Sequence, residues 1–171
     1  FARGWSSVKL YFMVGLPTET AEDRAGIVAL VEKIRRVGRE TTGRKPAVSA
    51  AVSSFVPKPH TPFQWSAQLL PGELRPIHAK LREELQKRGA TFKWHHPDIS
   101  ALEGLLARGD RRLGRVIHLA WGKGRRFDGW TEQFSLAPWL EACGEVGIDF
   151  ENFVSRERGT DEPLPWDHLG H

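Results

Sequence analysis

Cysteine is almost missing from this sequence: 171 residues contain one, Cys143. A single thiol excludes an internal disulfide framework and any Cys-rich zinc or iron–sulfur centre built by this chain alone. It suits a reducing, cytoplasmic setting. Long hydrophobic runs are also lacking. The longest, such as Leu10–Leu16, fall far short of the roughly 20 apolar residues that span a bilayer, so no membrane span is expected. There is no low-complexity tract and no repeat of 20–50 residues. The chain starts at Phe1 without a signal-peptide pattern and ends on Leu169-Gly170-His171, which sets the expectation of an excerpt from a longer protein.

What is present is an ordinary globular balance, 40% hydrophobic and 27% charged, which argues against disorder. The length suits one domain, or one domain and a piece of another. Seven Trp and nine Phe supply large units for burial, each contributing a few kcal/mol at roughly 25 cal/mol per Å². The net charge of +4 is unevenly spread. Residues 105–126 hold seven Arg/Lys against one acid, Asp110, whereas residues 141–171 hold eight Asp/Glu against two Arg. Such a split marks either a nucleic-acid surface or two parts of a fold that neutralise each other. Mutual neutralisation is the favoured expectation for Arg111, Arg112, Arg115, Arg125 and Arg126, with Glu141, Glu145 or Asp149 as partners.

Residues 8–14 are β-branched, aromatic and nearly all apolar, the pattern of a strand buried in a parallel sheet. Gly15-Leu16-Pro17 breaks it, and Thr20 with Asp23 forms a helix-start box. Ile27, Leu30 or Val31, Ile34 and Val37 recur at helical spacing, with Gly38 as the expected stop. A second apolar run covers 47–56, so the chain opens strand–helix–strand, with room for a parallel crossover. Pro57, Pro59 and Pro62 then require an ordered loop. Leu74, Ile77 or His78, Leu81 and Leu85 define another amphipathic helix, closed by Gly89. Residues 90–95 alternate as a half-buried strand does. Three further helices are expected, capped by Asp98, Asp110 and Ser135. The second carries Leu113, Val116, Ile117, Ala120 and Trp121 on one core face. The segment after Ser155 reads as loop.

The two strand ends carry the strongest chemical signal, because ligands of parallel α/β folds bind beyond the C-terminal ends of strands. Gly15 permits close approach of a ligand to the backbone, and Glu19 stands where a helix dipole favours an acid. The second strand leaves through Ser54-Phe55-Val56-Pro57-Lys58-Pro59-His60-Thr61-Pro62. The plainer reading of both segments is a pair of ordinary strand-to-helix turns.

Residues 9–23, Lys-Leu-Tyr-Phe-Met-Val-Gly-Leu-Pro-Thr-Glu-Thr-Ala-Glu-Asp, closely resemble the fifth strand and turn of radical S-adenosylmethionine (SAM) enzymes. Residues 54–62 resemble that family's sixth strand and its Pro-x-x-Thr-Pro exit, as in the tRNA methylthiotransferase branch. Residues 102–113 and 164–168 are similar to the C-terminal region of an uncharacterised bacterial branch in which a cobalamin-binding-like domain precedes the barrel. The resemblance covers the whole chain. It implies an α/β fold: residues 1–90 as the C-terminal strands of a partial (β/α) barrel, and residues 91–171 as a mostly helical extension. It also implies a [4Fe–4S]-dependent enzyme that cleaves SAM to a 5′-deoxyadenosyl radical, with an unknown substrate. Met13, Gly15, Glu19, Ser54, Phe55 and Val56 would form the adenosine side of the cofactor site. The missing N-terminal half would be the obligate partner, with cobalamin and RNA as further candidates.

The departures bear on activity. The Cys-x-x-x-Cys-x-x-Cys loop, the first strands and the Gly-Gly-Glu motif are absent from these residues, so the chain alone has no electron source. Other candidates are weaker. His95 and His96 are adjacent and would point to opposite faces of a strand, and His60 and His118 bring no Cys or carboxylate cluster. Cys143 lies on an apolar helix face and reads as a buried, inert thiol. Gly122-Lys123-Gly124-Arg125-Arg126 lacks the Gly-Lys-Ser/Thr ending of a phosphate loop. The rival to the enzyme reading is a non-catalytic basic module that binds RNA or ribosomes. A third option is that the region only buttresses a barrel.

Overall fold

A computed structural model describes residues 1–169. It is a mixed α/β structure with a small three-stranded parallel sheet and several helices. The chain divides into two compact units. One holds residues 1–54 and 72–95, the other residues 55–71 and 96–171. Residues 55–71 thus group with the helical residues and not with the strand and helix that flank them.

In the first unit, β1 (Ser7–Val14), α1 (Ala21–Thr42), β2 (Ala47–Ser54), α2 (Pro71–Lys87) and β3 (Thr91–Trp94) follow in order. The strands lie side by side in sequence order, all parallel. Leu10 stands opposite Ala50, Val14 opposite Ser54, and Ala50 opposite Phe92. The strand–helix–strand reading and the parallel pairing of the two apolar runs are therefore observed. The outer edge of β1 is unpaired among the described residues.

β1 is not covered on both faces, as its apolar run had suggested. Val14 is buried and Val8, Leu10 and Phe12 are half-buried on one side, while Lys9, Tyr11 and Met13 are exposed on the other. β2 buries Val48, Ala50, Val52 and Ser54, and its opposite side carries only Ala and Ser. Residues that pair in register share a face, so the uncovered face carries Lys9, Tyr11 and Met13 beside Ser49, Ala51 and Ser53. Parallel sheets are ordinarily packed on both sides.

α1 starts with the expected capping box: Thr20 Oγ1 accepts from the Asp23 N–H, and the Thr20 N–H donates to the Asp23 carboxylate at 2.8 Å. The helix does not stop at Gly38 but runs on to Gly43, which takes φ 68°. Gly38 has a packing role instead. A Cβ there would lie 2.5 Å from Pro46 Cγ and 2.9 Å from the Phe1 ring.

The second unit is built from α3 (Pro97–Arg108), α4 (Leu113–Gly122), α5 (Ala137–Val146) and the short α6 (Phe150–Ser155), followed by a 3₁₀ turn at Asp167–Leu169. Leu102, Leu105, Leu113, Val116, Trp139, Cys143, Phe150 and Val154 are among its core residues. The expected caps move by one or two positions. α3 starts after His96 with Pro97 at its first turn, α4 after Arg112, and α5 after Leu136. Pro fits the first helical position because its missing N–H would be unpaired there anyway. α6 falls at a place where no helix was expected; Asp149 caps it by accepting from the Asn152 N–H. On α4, Leu113, Val116 and Ala120 are core, but Ile117 and Trp121 are 47% and 54% exposed. A ten-residue helix that packs on one side buries a single narrow stripe, and these two residues fall outside it.

Candidate functional site at the strand ends

The C-terminal end of β1 turns over in five residues. Gly15, buried, takes φ 82°, and Thr18 takes φ 68°. The Glu19 N–H donates to the Leu16 carbonyl at 3.1 Å. Pro17 then stands second and the left-handed Thr18 third in a four-residue turn, the type II arrangement that usually places Gly at its third position. A β-branched residue there is strained by about 1–3 kcal/mol.

Glu19 holds this turn in place. One carboxylate oxygen accepts from the Gly15 N–H at 2.8 Å, and the other from Arg24 Nη1 at 2.7 Å. Its side chain is only 7% exposed. Glu19 therefore acts as a strut, with both oxygens engaged by its own chain. Arg24, one turn into α1, was not singled out in the sequence; its i+5 spacing from Glu19 is the only local sign of the pair.

The parallel register brings Met13, Gly15 and Ser54 to one edge of the sheet. It sends the Met13 and Ser54 side chains to opposite faces, since Met13 pairs with Ser53 and Val14 with Ser54. What this edge offers a ligand is mainly backbone. Ser53 Oγ donates to the Phe12 carbonyl at 3.2 Å. The Ser54 hydroxyl is buried and has no hydrogen-bond partner. Phe55 and Val56 continue directly from β2 and group with the second unit, where Phe55 meets Phe63 edge-on at 5.7 Å.

A hollow of about 310 Å³ lies against the turn, lined by Phe12, Met13, Leu16, Thr18 and Glu19 among others. Larger hollows of this unit lie away from the strand ends. One of about 390 Å³ runs between α1 and α2 past Ala25, Val28, Ile77 and Leu81. Another, of about 620 Å³, is lined by Arg35, Arg36, Arg39 and Lys45. Neither touches a residue singled out for chemistry.

The remaining candidates separate clearly. Among the described residues no group of three or more His, Cys, Asp or Glu is placed to hold a metal ion. Cys143 is buried, and burial pushes its thiol pKa up. The basic segment divides. Lys123 pairs with Glu141 and Glu145 at 3.0 and 2.9 Å. Arg112 and Arg125 pair with the nearby Asp110 and Asp128 rather than with the acidic tail. Arg111, Arg115 and Arg126 are exposed and form no ion pair among the described residues, against the expectation of internal pairing. No helix among the described residues is long and apolar enough to cross a membrane.

No family model matches the chain, and no solved structure matches it. An uncharacterized protein of Methanocaldococcus jannaschii is 32% identical over 114 residues, which are 67% of this chain and 24% of that protein. The chain thus spans about a quarter of the length of the curated relative it matches.

Proposed function

We propose that this chain is the C-terminal part of a radical SAM enzyme, with β1, β2 and β3 as late strands of a partial (β/α) barrel and the second unit as its helical extension. The observation that carries the reading is the pinned turn. A left-handed Gly15, tied through Glu19 to Arg24, ends a parallel strand beside the end of its neighbour. On this reading the motif has a physical task, to fix the conformation of the strand-end backbone beside which the cofactor would sit.

The residues fit the adenosine half of SAM. Gly15 presents no side chain, and Ser54, whose hydroxyl lies on the buried face opposite Met13, would take part through its backbone. On this reading the Met13 side chain and the backbone of Gly15 and Ser54 would line the adenine site, with Glu19 holding the turn; the resemblance adds the backbone of Phe55 and Val56. The uncovered face with Tyr11 and Met13 would look into the barrel. When bound, SAM and a [4Fe–4S] cluster supply a 5′-deoxyadenosyl radical that abstracts hydrogen from a substrate. The cluster ligands, and a cobalamin-binding-like domain, belong on this reading to upstream chain. A lone buried thiol fits a cytoplasmic location.

The test uses the complete protein that carries these residues, reconstituted anaerobically with iron and sulfide. With SAM and a strong reductant it should yield 5′-deoxyadenosine. Gly15→Leu, forced to φ near 82° and bulky at the edge, should weaken SAM binding while the cluster absorbance stays. No 5′-deoxyadenosine from a protein with an intact cluster, or unchanged SAM affinity in Gly15→Leu, would count against the assignment.

A further inference from the structure

The helical unit displays aromatic side chains where a packed fold would hide them. Phe127 is 74% exposed, Trp130 63% and Trp121 54%. Phe127 also takes φ 60°, a left-handed conformation that bulky side chains avoid. Backbone strain of this kind is retained only where the surroundings impose it, and here they do. The Trp130 N–H closes a turn onto the Phe127 carbonyl at 2.9 Å. Between these two aromatics, Asp128 accepts from the core residue Trp139 through Nε1 at 3.2 Å and from Arg125 at 3.3 Å. The turn is thus bolted to the core through Asp128, while the ring on each side of it stands in solvent.

Cationic groups lie beside Trp121 and elsewhere along the same segment. The Arg126 guanidinium lies 4.7 Å from the centre of the Trp121 ring, and His118 stacks beside that ring. Arg111, Arg115 and Arg126 are the exposed arginines of this segment left without an acid among the described residues, and α4 itself contains no acidic residue. Aromatic faces interleaved with unpaired arginines match a polymer of flat rings and phosphates. We infer that the end of α4 and the loop after it, with Trp121, Arg126, Phe127 and Trp130, bind single-stranded nucleic acid together with the exposed Arg111 and Arg115 at the start of α4, with unpaired bases on the rings and phosphates on the arginines. This inference is independent of the radical SAM reading.

Three neutralised phosphates on a single strand imply a salt slope of about −2 on logarithmic axes, so a rise from 50 to 200 mM salt should weaken binding roughly 20-fold. The probe is a fluorescein-labelled 12-mer of oligouridine, followed by anisotropy with the complete protein. DNA of the same length and a 12-base-pair RNA duplex run alongside. The expected result is binding of either single strand with that slope and weak binding of the duplex. A preference for RNA would add 2′-hydroxyl contacts to the same surface.

Arg111→Gln/Arg115→Gln/Arg126→Gln should flatten the slope, and Trp130→Ala should weaken binding about tenfold. Phe127→Gly separates binding from folding. Glycine accepts φ 60° without strain, so the thermal midpoint should hold or rise while affinity falls about tenfold. The inference is overturned if the single strands do not bind at 50 mM salt, or if binding survives the arginine variant. It is also overturned if Phe127→Gly lowers the midpoint but leaves affinity unchanged, if the duplex binds as tightly as the strands, or if polyglutamate competes as well as unlabelled oligouridine.

Discussion

Arg108 is the most telling residue to perturb for stability. Its side chain is fully buried and meets no carboxylate. Instead, Nη1 donates to the Ser66 and Val154 carbonyls, each at 2.8 Å, and Nη2 donates to the Arg156 carbonyl. Arg158, itself buried, donates back to the Arg108 carbonyl and lies over the Trp166 ring. One guanidinium thus gathers the 66 loop, the end of α6 and the tail around a single point. Desolvation, then the proximity of Arg158 and Arg156, push its pKa from the ordinary guanidinium range down to about 10. That lowering corresponds to roughly 3 kcal/mol at 1.36 kcal/mol per tenfold.

In Arg108→Met, three charge-assisted hydrogen bonds disappear, each contributing about 1.5–3 kcal/mol. The relieved burial of charge offsets roughly 3 kcal/mol of that sum, and the methionine fills much of the volume. The net expectation is a loss of about 3 kcal/mol. Urea unfolding followed by tryptophan fluorescence should show the midpoint falling by about 1–3 M, given a slope of roughly 1–3 kcal/mol per M. Arg108→Lys should lose nearly as much, since one ammonium cannot reproduce the fork. At neutral pH the group is charged and the burial cost is present in full. Because the folded value is the lower one, the cost is relieved only as pH rises through about 10 toward the ordinary guanidinium range. A midpoint within experimental error of wild type for Arg108→Met would refute the reasoning and show that water satisfies the three carbonyls equally well.

Gly104→Ala in α3 should destabilise by about 1–3 kcal/mol, because a Cβ there would sit 2.0 Å from Gln68 Oε1 while Gln68 is held through Nε2 on the Ser100 carbonyl; thermal melts check it. Ser54→Ala should be neutral or stabilise by about 1 kcal/mol in the absence of ligand, since it removes a buried hydroxyl without a partner, and a clear loss in the same melts would reveal a hydrogen bond there. Hydrogen bonding from Arg156 holds the Glu162 carboxyl below its usual 4.5. Its contribution is therefore present above 4.5 and lost as pH falls through the depressed value, so Arg156→Gln should flatten the acid limb of a stability–pH curve.

Local pattern carried the first unit a long way. The apolar runs at 8–14 and 47–56, the Thr20/Asp23 box and the helical spacing between them determine strand, helix and strand, because hydrophobic period and capping act within a few residues. The turn at Gly15 and the buried thiol of Cys143 were legible for the same reason. Gly38 was not: the same residue that ends a helix in isolation is kept inside one when Pro46 and Phe1 crowd its Cα, and only packing decides between the two. Tertiary structure alone also decided that β1 has one open face, that Glu19 spends both oxygens on its own chain, and that Met13 and Ser54 share an edge but not a face. It divided the basic segment too, pairing Arg112, Lys123 and Arg125 while leaving Arg111, Arg115 and Arg126 free of acids. Composition counts charges along the chain, whereas an ion pair needs two side chains within about 4 Å in space. Ile117 and Trp121 make the same point, since hydrophobicity marks a side chain for burial but the narrow stripe that α4 packs against its neighbours determines which of them the fold can bury.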